Sequence, residues 1–153
     1  MKKLLIPIFI LVSAHSLVVA QVQKAAFNAR IATLNTYIKQ QNKIAQGEAF
    51  DQLMVQMNMQ ISYLNTQISS LTASYSADTA KAHAEMKSRS AADVAAGRNE
   101  MQQANLLLPS IGHYQYLLAT DKTLYNEIVP LKSNISANAT ALNNYLNQFD
   151  ATL

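Results

Sequence analysis

The sequence predicts an all-α protein, a long-helix antiparallel hairpin or three-helix bundle with coiled-coil-like seams. Three observations carry this expectation. Met54, Met57, Ile61, Leu64, Ile68, Leu71 and Tyr75 recur at alternating spacings of three and four, separated almost entirely by Gln, Asn, Ser and Thr. Leu124, Ile128, Leu131, Ile135, Asn138, Leu142, Tyr145 and Phe149 follow the same alternation later in the chain. Such spacing sets a narrow apolar stripe on a helix with a polar back. The composition agrees, with only three Gly and no Trp. Two seams separated by a folded-back middle segment imply antiparallel packing.

Residues 1–20 have the form of a cleaved export signal. Lys2 and Lys3 are the basic start, Leu4 to Val12 the apolar core, and Val18-Val19-Ala20 the small-residue cleavage site before Gln21. A retained membrane anchor is the competing reading. It fits less well, because the apolar stretch is only about 16 residues long where a span needs roughly 20, and Pro7 interrupts it. The expected location is therefore the periplasm or surface of a bacterium, with residues 21–153 as a single helical domain.

Without Lys2 and Lys3 the chain has ten basic and nine acidic residues, a net charge of +1. Scattered charge of this kind argues against nucleic acid, which calls for clustered Lys and Arg. The lack of Cys removes disulfides, thiol chemistry and the usual structural zinc sites. A polar but weakly charged surface suits close packing against other proteins.

Along the chain, Phe27, Ile31, Leu34 and Ile38 begin a helix over 22–75, with Gln41 and Ala45 continuing the phase. The seam slips by two positions between Ile38 and Met54, and Gly47 is the natural break. A bent or interrupted long helix fits this best, and two helices meeting at a short turn is the other reading. The seam ends near Tyr75, where Ser76 or Asp78 can cap a second helix over 78–105. That helix is rich in Ala and buries little, so it is the least firmly held; Lys81–Glu85 and Glu85–Arg89 are its i,i+4 pairs. Residues 106–118 form an apolar turn in which Pro109 and Gly112 stop the helix. The last helix, 121–150, starts at Thr120-Asp121 and is kinked near Pro130. Asn138 interrupts its seam, where a polar residue can set register.

Chemistry-bearing patterns are missing. His83 and His113 have no Glu-x-x-His or His-x-His partner, so no metal site is expected. No Gly-x-Ser-x-Gly elbow, paired carboxylates or phosphate-binding Gly loop is present. The expectation is a non-enzymatic protein with no catalytic residues and no cofactor.

The remaining candidate is the 106–118 stretch. Its leucines either close the end of the bundle or form an exposed tip for a protein partner or a membrane. If it is a tip, Leu107, Leu108, Ile111, Tyr114, Tyr116 and Leu117 make the contact. The 54–75 seam, the run Lys39-Gln40-Gln41-Asn42-Lys43 and the 106–118 insert together give a pattern that resembles the minor pilus-tip subunits of type IV secretion and conjugation systems. The resemblance implies an exported helical bundle with an apolar appendage that binds other subunits of a secretion or surface apparatus. A periplasmic chaperone or scaffold is the second reading, and a membrane-active helical protein the third. Heptad seams suit an intramolecular bundle and self-association equally well.

Overall fold

The computed structural model describes the backbone from residue 6 and side-chain surroundings from residue 23, through to residue 153. The expected export signal, residues 1–20, lies outside the residues whose surroundings are described. The chain is all α, as the seams predict. Its elements are α1 (Ile6–Lys39), α2 (Lys43–Met86), α3 (Ala91–Asn105), α4 (Leu108–Ile128), a 3₁₀ segment (Val129–Asn134) and α5 (Ala139–Asp150). Where a single domain is expected, the chain divides into two compact units, and α2 and α4 each supply a stretch to both. One unit is the chain up to Met57 with Thr123–Leu153; the other is Asn58–Lys122.

In the first unit the expected break near Gly47 is misplaced. α1 ends at Lys39, and a three-residue turn, Gln40-Gln41-Asn42, reverses the chain. Asn42 N–H donates to the Tyr37 carbonyl (3.1 Å) and Gln41 N–H to that of Ile38 (3.0 Å), the pattern of a Schellman cap. Such a cap needs a left-handed residue after the helix, usually Gly; here Gln41 takes it, with φ 56°. Asn42 then caps α2, its Oδ1 accepting from Ala45 N–H at 3.2 Å. Gly47 lies inside α2, so Gln41 and Ala45 do not continue the α1 stripe. The two-position slip separates two helices of a hairpin.

The core of this unit includes Phe27, Ile31 and Leu34 of α1 and Phe50, Leu53, Met54 and Met57 of α2. Leu124, Ile128, Ile135, Leu142, Leu146 and Phe149 complete it from the C-terminal part. α5 runs antiparallel to α1. The Phe27 and Phe149 rings lie 5.2 Å apart, and the amides of Asn35 and Asn143 exchange two hydrogen bonds of 2.9 Å. Gln46 ties the segments together at 1% exposure. Its Nε2 donates to the Tyr37 carbonyl (3.1 Å), and the Ser136 hydroxyl donates to its Oε1 (2.9 Å).

The expected kinked helix over 121–150 is instead interrupted. α4 stops at Ile128, the chain passes through the 3₁₀ segment containing Pro130, and α5 starts after Asn138. Proline lacks the N–H for the next helical bond and clashes with the preceding turn. The seam survives this: Leu124, Ile128, Ile135, Leu142 and Phe149 are buried, and Leu131, Asn138 and Tyr145 are half-buried. Thr120 and Asp121 do not start a helix. They lie within α4, and Asp121 is fully buried.

In the second unit α2 continues unbroken through Ser76 and Asp78, so the expected helix over 78–105 is two helices. No Gly or Pro interrupts the stretch, and the Thr79 hydroxyl bonds back to the Tyr75 carbonyl (2.8 Å) without ending the helix. The break falls at Lys87–Ser90. There Ser90 Oγ accepts from Asp93 N–H (3.4 Å) to cap α3, and the Ser88 hydroxyl donates to the Asp93 carboxylate (2.7 Å). Arg89 lies beyond α2, so it shares no helix with Glu85; Lys81 and Glu85 are 3.9 Å apart. α2 and α3 approach closely at Gly97, where a Cβ would lie 2.7 Å from the Ala82 carbonyl oxygen and 3.0 Å from Met86 N.

The expected apolar turn over 106–118 shrinks to Leu106-Leu107. Pro109 is the second residue of α4, where its missing N–H has no helical acceptor to lose, so it begins a helix. Gly112 lies inside α4.

Two substitutions test this packing. Gln46→Ala strands the Tyr37 carbonyl and the Ser136 hydroxyl beside a cavity and is expected to lower stability by about 3 kcal/mol in denaturant unfolding. Gly97→Ala pushes a methyl against backbone and is expected to cost about 2 kcal/mol. A Gly97→Ala protein as stable as the parent would mean that α2 and α3 separate freely.

Candidate protein-contact site

The six residues expected to form a contact tip, Leu107 in the turn and the other five on α4, divide between an inward and an outward face. Leu107, Ile111, Tyr114 and Leu118 recur at spacings of four, three and four, the period of a buried helical stripe. Ile111 is 8% exposed, and Leu107, Tyr114, Leu117 and Leu118 are half-buried. Of the expected tip residues, only Leu108 (45% exposed) and Tyr116 (68%) face outward. Leu106 in the preceding turn, 67% exposed, joins them. The stretch is therefore part core and part surface, and the spacing of 107, 111, 114 and 118 was the signal that separates the two.

Between Leu108 and Tyr116 on the outer face lies Gly112, one helical turn from each. It is exposed, and a Cβ built on it meets no described residue within 4 Å. The strip is thus two apolar side chains flanking a bare piece of backbone. Glycine in a helix costs about 1 kcal/mol relative to alanine, and nothing inside the unit requires it here, in contrast to Gly97. Elsewhere Val55 and Met59 are exposed one turn apart on α2, Ile44 is exposed one turn before Gly47, and Val129 is isolated. Scattered exposed apolar residues are ordinary; the α4 strip differs in having one on each side of its glycine and an exposed leucine in the adjoining turn.

The electrostatics of this face are simple. From Met101 to Thr120 there is no Asp, Glu, Lys or Arg. Behind it, the Tyr63 hydroxyl of α2 is hydrogen-bonded to Tyr114 of α4. Burial, then the charge and hydrogen bond of Tyr114, raise the Tyr63 pKa above the ordinary tyrosine value. On α2, the hydrogen bond and charge of Glu100 raise the Lys81 pKa, with Glu85 and Asp78 adding to the effect. Lys81 is exposed, so its pairing with Glu100 adds little to stability.

Among the described residues, no three His, Cys, Asp or Glu side chains gather where a metal could bind. Nor is any helix among them long and apolar enough to cross a membrane. His83 and His113 are both exposed. Comparison with family models, curated proteins and solved structures finds no match to this chain. Fold and site together define a class only, an all-α helical-bundle protein with an outward apolar strip on one helix.

The Tyr63–Tyr114 contact has a pH consequence. A raised folded pKa keeps its stabilisation intact below the unfolded tyrosine value of about 10 and loses it as pH rises through the folded value. Tyr63→Phe should therefore flatten the alkaline fall in melting temperature between about pH 9.5 and 11.5, followed by circular dichroism. Lys81 acts with the same sign in the same range and stays constant in the comparison. Identical alkaline slopes for parent and variant would remove Tyr63 from the account.

Proposed function

We propose that this is a non-enzymatic, exported helical protein that works by binding other proteins, as a subunit of a bacterial secretion, conjugation or pilus apparatus. The observation that supports the reading is the outward strip of Leu108, Gly112 and Tyr116 with Leu106 beside it. Apolar side chains exposed on one face of a helix whose other face is packed are the usual anchor of a protein interface. Tyrosine adds large contact area with a polar tip at low entropic cost. The likeness of the sequence pattern to minor pilus-tip subunits selects the kind of apparatus, and the form of residues 1–20 the compartment.

The test uses the native host. Leu108→Glu and Tyr116→Glu act on exposed positions and should change folding stability by no more than about 0.5 kcal/mol, whereas half-buried Leu107 would confuse contact with folding. Parent protein recovered in the sheared surface fraction should begin at Gln21 by intact mass and co-sediment with other subunits. Both charged variants should keep their helicity and leave that fraction. Variants that co-sediment unchanged would remove the strip from the interface, and a parent found as a free periplasmic species would favour a chaperone or scaffold.

A further inference from the structure

We infer that α3 is a strap that opens from α2 while the rest of the chain stays folded, and that Glu85 and Glu100 weaken its closed position instead of holding it.

Little keeps α3 in place. Its buried residues are Gly97 and Ala104, which remove little apolar area from water, and Val94 and Met101 are half-buried. The bonds that cap its start are local: Ser90 Oγ accepts from Asp93 N–H, and the Asp93 carboxylate accepts from Ser88 in the preceding turn. Among the described residues, a single hydrogen bond joins an α3 side chain to another helix, from Lys81 to Glu100. Turns at Lys87–Ser90 and Leu106-Leu107 bound the helix on both sides. The strap ends at its C-cap Leu106, so opening also releases the leucine that adjoins the outward strip of α4.

The closed position carries an electrostatic cost. Glu85 lies between Ala82 and Met86, the α2 residues that meet Gly97, and Glu100 is one turn beyond Gly97 on α3. Lys81 Nζ reaches one oxygen of each carboxylate, Glu85 Oε1 at 3.9 Å and Glu100 Oε1 more closely. The second oxygen of each, Oε2, is buried with no hydrogen-bond partner. A carboxylate oxygen taken from water without a donor costs more than an exposed ion pair contributes. Asp78 adds a third negative charge near the same ammonium. Opening returns both buried oxygens to water for the loss of one exposed pair.

Native-state hydrogen exchange on the whole protein recovered from its host, resolved by segment, tests this. In the parent, α3 amides should be protected at least about a hundredfold less than those of α5. Glu85→Met keeps the length and helix preference of the side chain and removes the buried charge, so it should slow α3 exchange about tenfold. Lys81→Met leaves both carboxylates without their cation and should speed α3 exchange about threefold. Neither variant should change α5. If the ion pairs held α3 down, both variants would speed exchange. An α3 as well protected as α5, or a Glu85→Met protein whose α3 exchanges as fast as the parent's or faster, overturns the inference. The result does not depend on whether the α4 strip binds a partner.

Discussion

A buried amide is costly unless both of its ends find partners, and the Gln46 side chain meets that condition by joining three parts of the chain. Its donor holds the Tyr37 carbonyl in the last turn of α1, and its acceptor takes the hydroxyl of Ser136, beyond the 3₁₀ segment. The position is thereby committed to a hairpin that turns at Gln41 and to a C-terminal segment that returns beside it. The Asn35–Asn143 pair does the same for α1 and α5. Apolar burial of Phe27, Phe50 and Phe149 supplies most of the stabilisation, and the amides set the register. Ion pairs contribute little. Lys132 with Asp51 and Lys24 with Asp150 are both partly exposed.

The second unit is built on closeness more than on bulk. Ala82 and Gly97 are buried where α2 and α3 pack, Ala104 is buried later in α3, and the large buried side chains are few, Leu64 and Ile111 among them. Small residues permit short backbone separations but remove less apolar area from water. Regions with sparse apolar burial open at lower free energy than a dense core. The exposed strip of Leu108, Gly112 and Tyr116 belongs to this unit, and Gln46 to the other.

The two faces of α4 differ within one short stretch. Ile111 and Tyr114 point inward to the unit, while Leu108 and Tyr116 point outward around Gly112. The same helix thus carries a covered stripe and an uncovered one, and the uncovered one lacks charge.

Repetition made the fold class legible. Phe27, Ile31 and Leu34 at one end, and Leu124, Ile128, Ile135, Leu142 and Phe149 at the other, state the helical period many times over, and all are buried. Helix ends are each decided once, by one or two residues with preferences near 1 kcal/mol, and tertiary packing overrides preferences of that size. Gln41 therefore takes the left-handed turn in place of a glycine, Gly47 and Gly112 stay helical, Ser76 caps nothing and Pro109 opens a helix. Gln46 and Asp121 look like surface residues in the sequence, and only folding places them inside. The sequence alone determined an all-α chain with two apolar seams, because periodicity is local and cumulative. Where those helices stop, and which side of residues 106–118 faces water, only the tertiary structure decided, because those outcomes depend on partners distant along the chain.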